Sequence, residues 1–436
     1  MLPRQAAKIL RPTVAVGTPA MPDLVIRAST LVDGTGADPC FDAEVVVSNG
    51  AIKYAGPALP RADDADVIDY GDATIMPGLI DCHCHLQFGA YSSHERTLAV
   101  HKSASNEDRV ITAVQNAQRA LATGVTTMRD TGGYRTLNML IRDAQRVGQF
   151  LGPRLMVCGA PITTTGGHLN WCGLRADSRD EVVRAARQMV EAGADFIKVM
   201  ATGGMMTPGS QAGHSQYDLE TLRALVTDSH RLRRHVAAHV LGADGCRDAI
   251  DAGVDTLEHC SWLTADGVRG QSAIDAAAVD RIDATHQSVH MTLAAMNRTP
   301  FRDMAHLDEL PADERERIRA AGANFRYMRE QGVPHVVSTD AGVIDTPFHE
   351  FPLSVISAVV ALDTTPVDAM HLVTGAAAQA IGLGEVTGSL IPGRQADLLV
   401  VDGDASENIC NIARTVSVYL GGQEVVRKRR LEVLVN

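Results

Sequence analysis

The chain has 436 residues, of which 45% are hydrophobic and 21% are charged, a composition typical of a folded protein with a large apolar core. Its length predicts two domains, or one large barrel with an accessory domain. The net charge is −12, with 4% aromatic residues, which argues against nucleic acid or an anionic membrane surface as a partner. No apolar run reaches the roughly 18 residues of a membrane span.

Residues 1–21 are predicted to form a flexible arm. Pro3, Pro12 and Pro19 interrupt this segment, and it has no continuous apolar region of the kind found in a signal peptide. The eight cysteines are scattered along the chain, unlike those of a small disulfide-rich scaffold. We therefore expect reduced thiols and a cytoplasmic protein.

Both ends of the chain have the pattern of short β-strands. Residues 24–27 and 44–47 are rich in branched side chains, and Asn49-Gly50 predicts a hairpin turn. The same pattern returns after residue 388. We therefore predict one small β-sandwich domain built from residues 22–75 and 383–436.

The middle of the chain, residues 76–382, alternates apolar runs with helical patterns. Ser178 opens a capping box with Glu181, and Asp218 is a candidate N-cap. The apolar runs are residues 78–81, 125–129, 154–158, 196–200, 236–240, 254–257, 289–293 and 335–338. Eight such units predict an α/β fold, a (β/α)8 TIM barrel. A doubly wound open sheet is the alternative, although no G-x-G-x-x-G motif follows a strand.

Ionisable residues lie at or just after the ends of five of these runs, where a barrel would place its chemistry. His83 and His85 share one face of the first strand, because side chains alternate, and two imidazoles there could bind one cation. The others are Lys198, His239, His259 and Asp340. Each alone has an ordinary structural explanation, such as a hydrogen-bonded histidine or a helix-capping aspartate. Their joint occurrence indicates a functional site.

These motifs resemble those of the amidohydrolase superfamily, over nearly all of residues 24–430. The resemblance lies in MPGLIDCHCH (76–85), STDAG (338–342) and GSLIPGRQADL (388–398). It implies that the H-x-H histidines and Asp340 hold one metal ion, and that the histidines of strands five and six hold a second. Lys198, carboxylated, would bridge both ions. The matching positions are His83, His85, Lys198, His239, His259 and Asp340.

The chemistry implied by this resemblance is hydrolysis of a C–N bond. Zinc suits imidazole and carboxylate ligands, and manganese, cobalt or iron remain open. Two divalent ions about 3.5–4 Å apart make hydroxide available near neutral pH. Asp340 would take the proton from this hydroxide and pass it to the leaving amine.

Further motifs resemble the Xaa-Pro dipeptidase and imidazolonepropionase-related branch of the superfamily. They are TGGH (165–168) and KVMATGG (198–204). The resemblance implies that His168 and Tyr217 bind or polarise the substrate carbonyl. The alternatives are a loop histidine bonded to the backbone, and a tyrosine that packs at the start of a helix.

The expected substrate is a small-molecule amide, either a dipeptide or an N-acyl amino acid. Its carboxylate would need a cationic partner, and the candidates are Arg135, Arg298 and Arg302. Residues 291–296, with Met205 and Met206, could instead line an adaptable apolar pocket for a bulky aryl amide, urea or carbamate.

Other classes of protein fit these residues less well. Gly242 stands where a deaminase typically has Glu, which disfavours deamination, whereas hydrolysis of cyclic amides stays open. A phosphotriesterase-like hydrolase usually lacks the two-ended β domain. A non-catalytic relative would be expected to lose metal ligands, and all six are present. Homo-oligomers are common in the resembling group, and we expect one here.

Overall fold

The structure is a computed structural model that describes residues 23–60, 67–268, 270–293 and 297–431. The predicted arm, residues 1–21, lies outside the described residues. Residues 294–296, part of the predicted apolar loop, also lie outside them. All eight cysteines are described, and each is a free thiol, as expected.

The described strands fall into one antiparallel-rich sheet and two parallel sheets. In chain order they are β1 (Leu24–Leu31), β2 (Cys40–Ser48), β3 (Ala51–Pro57), β4 (Val67–Asp69), β5 (Ala73–Pro77), β6 (Leu79–Cys84), β7 (Val125–Asp130), β8 (Arg154–Val157), β9 (Ile162–Thr163), β10 (Leu174–Arg175), β11 (Ile197–Met200), β12 (Val236–Gly242), β13 (Thr256–Leu263), β14 (Ser288–Thr292), β15 (His335–Ser338), β16 (Leu398–Asp402), β17 (Thr415–Leu420), β18 (Gln423–Arg427) and β19 (Arg430–Leu431).

The described helices, in chain order, are α1 (His94–Ser103), α2 (Asn106–Leu121), α3 (Leu137–Arg146), α4 (Arg179–Glu191), α5 (Leu219–Arg231), α6 (Ala243–Ala252), α7 (Ala276–Val279), α8 (Ala312–Ala321), α9 (Ala323–Glu330), α10 (Phe351–Leu362), α11 (Pro366–Leu372) and α12 (Gly375–Ala380). Short 3₁₀ helices occupy Thr299–Phe301, Leu307–Glu309, Phe348–Glu350 and Ile409–Ala413. None of these helices combines the length and the apolar character needed to cross a membrane.

Local sequence signals account for several element boundaries. The Glu181 carboxylate accepts the backbone N–H of Ser178, as the capping box predicts. Asp218 caps α5 by accepting the N–H of Thr221 at 2.8 Å. Asn49 and Gly50 have φ angles of 49° and 77°, the positive values that a type I′ hairpin turn requires between β2 and β3.

The two ends of the chain share a nine-stranded sheet. Its order is β19-β18-β17-β16-β5-β1-β2-β3, with β4 beside β1. The N-terminal and C-terminal strands meet at β5 and β16, which pair antiparallel from Ala73–Asp402 to Pro77–Leu398. The predicted association of both ends is thus present, while its description as a separate β-sandwich domain stays a prediction.

The middle of the chain forms parallel sheets of seven and three strands. Their orders are β10-β9-β11-β12-β13-β14-β15 and β6-β7-β8, and each of the eight predicted apolar runs overlaps one of their strands. The segment after β15 lies beside the end of β6. The N–H of Asp340 donates to His83 O, and the N–H of His85 donates to Ala341 O, both at 2.8 Å. The long strands β11-β12-β13-β14-β15 follow one another in chain order, as in a fold of the TIM-barrel type rather than a doubly wound sheet.

The parallel strands are buried along their whole length where the sheets are covered by helices. Every residue of β6, β7, β11 and β15 is buried, as expected for strands with packed elements on both faces. Polar side chains in these strands therefore need internal partners. The carboxyl ends of the strands carry the polar cluster described next.

Candidate metal centre

All six predicted metal ligands line one cavity at the carboxyl ends of the parallel strands. The cavity has a volume of about 180 Å³. Five elements supply the six ligands, which are His83, His85, Lys198, His239, His259 and Asp340. The side chains come from positions up to 257 residues apart in the chain, so only the folded sheet order brings them together.

A His–His–Asp group forms the first part of the cluster. His83, His85 and Asp340 each offer a ligand atom, and these atoms lie within 4.8 Å of one another. The Asp340 Oδ1 atom is 3.4 Å from His83 Nε2 and 3.3 Å from His85 Nε2. Two imidazoles and a carboxylate are a donor set that suits zinc and related divalent ions.

Backbone geometry directs Asp340 towards the histidines. Asp340 has a φ of 60°, in the left-handed region that Asp adopts more readily than most residues. Its N–H is held by the His83 carbonyl. Such a conformation is sparsely populated and persists when the surrounding structure supports it, which is common at functional sites.

His239 and His259 form a second group beside the first. Their ring centroids are 4.7 Å apart, and the His259 ring is 4.8 Å from the His83 ring. The His239 Nε2–H donates to Gly203 O at 3.1 Å, and His259 Nδ1 lies 2.6 Å from Thr292 Oγ1. One nitrogen of each ring is thereby oriented by the protein, and the other is the one that could bind an ion.

Lys198 lies at the cavity with an unpartnered amine. Its Nζ atom is buried and has no hydrogen-bond partner among the described residues. Burial lowers the pKa of Lys198 to about 8, because a charged amine is costly away from water. A buried amine without a partner fits a lysine that is modified or bound to a ligand, as the predicted carboxylated bridge would be.

Burial favours the neutral form of four histidines at the cavity, and neutral imidazole is the form that binds metals. Burial lowers the pKa of His83 to about 4 and that of His168 to about 3. Burial also holds the pKa of His239 and His259 well below the usual range. The donor set and the orphaned amine therefore fit a site for divalent ions.

His168 lies at the cavity, whereas Tyr217 does not line it. His168 lines the cavity with its ring 4.6 Å from that of His239, and its Nδ1 has no hydrogen-bond partner among the described residues. Tyr217 is buried and its hydroxyl donates to Ala176 O at 2.8 Å. The Tyr217 hydroxyl is thus committed to the scaffold.

The three candidate arginines also lie outside the described lining of the cavity. Arg135 stacks over the Tyr134 ring, with its guanidinium carbon 5.1 Å from the ring centroid. Arg302 pairs with Glu350 at 2.6 Å. Arg298 is fully buried and donates to the Thr346 hydroxyl at 2.9 Å. Thr346 does line the cavity, so Arg298 is one side chain removed from it.

The rest of the described cavity wall is largely apolar. Met205 and Met206 line it as predicted, and Met200 joins them. His94, at the start of α1, also lines the cavity. The sequence did not indicate it, because it stands far from the strand ends where a barrel carries its chemistry. A flexible thioether wall can accommodate varied apolar groups.

Two buried carboxylates behind the ligands were not anticipated as partners of the site. Asp81 accepts the Thr339 hydroxyl at 2.5 Å and the N–H of His83 at 3.2 Å, which joins β6 to the segment before Asp340. Glu258 accepts the Nδ1–H of His83 at 2.6 Å. Both residues precede a ligand histidine on a buried strand, and an acidic residue in such a strand is the signal that could have revealed them.

Together, these features define a class: an α/β protein of the TIM-barrel type with a His–His–Asp group suited to a divalent ion. Residues 74–425 match the family described as "Amidohydrolase family". The chain therefore belongs to the amidohydrolase family, which confirms the predicted family.

Similar proteins agree with this assignment. The ochratoxinase of Aspergillus niger is 30% identical over 290 residues, which cover 58% of this chain and 57% of that protein. The chain thus spans little more than half of the length of the ochratoxinases it matches. An imidazolonepropionase of Idiomarina loihiensis is 22% identical over 86% of this chain and 89% of its own. A solved Xaa-Pro dipeptidase with bound methionine has a TM-score of 0.75 and 26% identity, covering 92% of this chain and 99% of that one.

Proposed function

We propose that the chain is a binuclear metal-dependent amidohydrolase that cleaves an amide or peptide C–N bond of a small molecule. The observation that carries this proposal is the convergence of the six predicted ligands on one cavity. His83, His85 and Asp340 would hold one ion, His239 and His259 a second, and Lys198 would bridge them as a carboxylated amine. Zinc is the expected metal, since the donors are imidazole and carboxylate.

The proposed reaction uses the protein side chains in distinct roles. Bound divalent ions would supply an activated water and polarise the scissile carbonyl. Asp340 accepts the proton of the attacking water and then donates it to the leaving amine. His168, at the cavity with a free ring nitrogen, binds the substrate carbonyl. Tyr217 has no direct role in this scheme, because its hydroxyl is bonded to Ala176.

The proposed substrate is a dipeptide or an N-acyl amino acid with a bulky apolar group. The similarity to a Xaa-Pro dipeptidase supports the peptide-like amide, and the methionines of the wall support the apolar group. Arg298 is the candidate partner proposed for a substrate carboxylate, because it bonds to Thr346, which lines the cavity. A neutral aryl amide, urea or carbamate is the second candidate, favoured by the absence of arginine from the described lining.

A matched panel of substrates tests this proposal. Metal-loaded protein is incubated with N-acyl-phenylalanine, with its C-terminal amide and with the corresponding anilide, with and without a chelator, and amine release is measured. We expect release that the chelator abolishes, and faster cleavage of the free acid. Faster cleavage of the two neutral compounds would replace the first candidate by the second. Metal-loaded protein that releases no amine from the panel or from dipeptides would contradict both.

The domain organisation of the chain is a further part of this proposal. We infer that β6, β7, β8 and β11–β15 form one barrel within residues 76–382, and that residues 22–75 and 383–436 form a β-sandwich domain against it. The bonds between β6 and the segment after β15 support closure on one side. On the other side, the N–H of Asp195 donates to Val157 O at 2.8 Å, which places the end of β8 beside the start of β11.

A further inference from the structure

A buried ion pair lies directly behind the His–His–Asp group. The Glu258 carboxylate accepts the Nδ1–H of His83 at 2.6 Å on one oxygen. Its other oxygen accepts Arg129 Nη2–H at 2.5 Å and the Thr256 hydroxyl at 2.6 Å. All four side chains are buried. The carboxylate therefore has a full set of donors within the strands of the parallel sheets.

Arg129 of β7 connects this carboxylate to two further strands, β6 and β14. From β7, its Nε–H donates to Cys82 O of β6 at 2.7 Å, and its Nη2–H donates to His290 Nδ1 of β14 at 3.0 Å. Its guanidinium also lies over the Phe196 ring, 4.9 Å from the centroid. The guanidinium has little freedom to move, and neither has the carboxylate that it holds.

Stability alone does not explain a charged pair in this place. Removing two charges from water is costly, and a buried ion pair is often no more stable than apolar residues of the same volume. The geometry relative to His83 offers a second explanation. A carboxylate bonded to Nδ1–H holds the proton on that nitrogen, so the lone pair of Nε2 faces Asp340 Oδ1, 3.4 Å away.

His83 differs in this respect from the other candidate histidine ligands among the described residues. His85 donates its Nδ1–H to the neutral carbonyl of Gly132 at 2.7 Å. His239 is held by a neutral carbonyl, and His259 is held by a hydroxyl. An anionic acceptor makes the opposite ring nitrogen a stronger donor than a neutral acceptor does. The electrostatic support is thus concentrated on His83.

We propose that Glu258 is a positioning residue that strengthens metal binding through His83, and that Arg129 and Thr256 hold its carboxylate in place. This inference rests on the proposed metal centre. It assigns to Glu258 a contribution to the affinity of the ion that His83 binds, and none to the ion held by His239 and His259.

The test compares Glu258→Gln with a matched variant, Glu44→Gln. Glutamine keeps the shape of Glu258, removes its charge and replaces one of its two acceptor oxygens by an NH2 donor. Glu44 is another fully buried carboxylate, which accepts Arg27 Nε–H at 3.1 Å in the nine-stranded sheet and does not line the cavity. Both changes remove the charge of a buried carboxylate bonded to arginine, but only one carboxylate contacts a candidate ligand.

The readouts are the stoichiometry and affinity of Co²⁺ or Zn²⁺ in the full chain, measured by competition with a chromophoric chelator, and the visible spectrum of the Co²⁺ form. For Glu258→Gln we expect one ion bound roughly 10–100-fold more weakly, a changed Co²⁺ spectrum and a second ion bound as before. For Glu44→Gln we expect a lower melting temperature of the metal-free protein with both affinities unchanged.

Each alternative outcome has a distinct meaning. If Glu258→Gln leaves both affinities and the Co²⁺ spectrum unchanged, Glu258 is only part of a structural ion pair and the inference is wrong. If the unaltered chain binds no metal, the proposed function itself fails. Should Glu258→Gln not fold, Thr256→Val removes one donor to the carboxylate, and we expect a smaller loss of affinity for the same ion. No loss in that variant would overturn the inference.

Discussion

The surroundings of Lys198 determine the protonation and the reactivity of its amine. In water, its amine would be charged, whereas in the cavity it is buried, without a hydrogen-bond partner among the described residues, and its pKa is lowered by burial to about 8. Burial thus increases the fraction of neutral amine, the form that reacts with carbon dioxide, relative to a lysine in water. The resulting carboxylate would be the anionic bridge that the candidate ligand set requires.

Replacement of Lys198 tests this role. Lys198→Ala is expected to lose at least one metal ion and to lower kcat/KM by about 1000-fold, because the bridging anion is missing. Added acetate or propionate should restore part of both losses by filling the space of the carboxylate. The measurements are metal content and amine release as a function of carboxylate concentration. Activity that stays near that of the unaltered chain would contradict a bridging role.

His168 lines the cavity, whereas Tyr217 bonds to the scaffold, so replacing them should have different effects. His168→Gln is expected to lower kcat by about 100-fold or more, with unchanged metal content, because the group that binds the carbonyl is lost. Tyr217→Phe should instead lower the free energy of unfolding by about 1 kcal/mol, since the bond to the Ala176 carbonyl is lost. Steady-state kinetics and urea denaturation measure the two effects. A large fall of kcat in Tyr217→Phe would restore its predicted contact with substrate.

At the scale of elements, the loop after β11 supports the second half of the cluster. The Gly203 carbonyl accepts the His239 Nε2–H. A Cβ at Gly203 would lie 2.1 Å from Gln211 O, so the backbone would have to move. The close approach of two backbone segments thus depends on glycine at this position.

Gly203→Ala is therefore expected to lower the occupancy of the ion bound by His239, and to lower the free energy of unfolding by about 1–3 kcal/mol. Asp218→Ala is the control: it removes the cap of α5 at a cost of about 1 kcal/mol without changing the cavity. Metal analysis and urea denaturation distinguish them. Equal metal content in the two variants would show that the loop does not support His239.

The caps and turns of helices and strands could be predicted from the sequence, whereas the long-range contacts around the site could not. The hairpin at Asn49-Gly50 and the caps at Ser178 and Asp218 formed as predicted, because each depends on residues within four positions of one another. The partners of two predicted substrate residues lie far away in the chain. Arg298 and Tyr217 have partners 48 and 41 residues away, and no local pattern shows such pairings.

At the scale of the whole molecule, buried histidines couple folding to pH. His335 in β15 is buried and donates its Nδ1–H to Val333 O at 2.7 Å, and burial lowers its pKa to about 4. In the unfolded chain, its pKa returns to about 6.5. Above pH 6.5 both states are neutral. Between about pH 6.5 and 4 only the unfolded state binds the proton, so stability is lost as the pH falls.

His335→Gln is expected to reduce this loss. In the unaltered chain, His335 contributes up to about 1.4 kcal/mol of lost stability per pH unit within that window, and the variant lacks this contribution. Urea denaturation of the metal-free proteins at pH 7.5, 6 and 5 gives the difference between the two slopes, which cancels the shared titration of other groups. Parallel pH profiles would contradict the assignment.

The sequence by itself determined the family, through motifs that resemble those of amidohydrolases, and the positions of the eight parallel strands, because each apolar run is local. It also predicted the six candidate ligands, through the same resemblance. The tertiary structure decided which polar groups support those ligands and which line the cavity. Glu258 meets His83 and Arg129 across 175 and 129 residues of chain. Such contacts depend on the order in which strands pair and on how much water the fold excludes, and neither property is local.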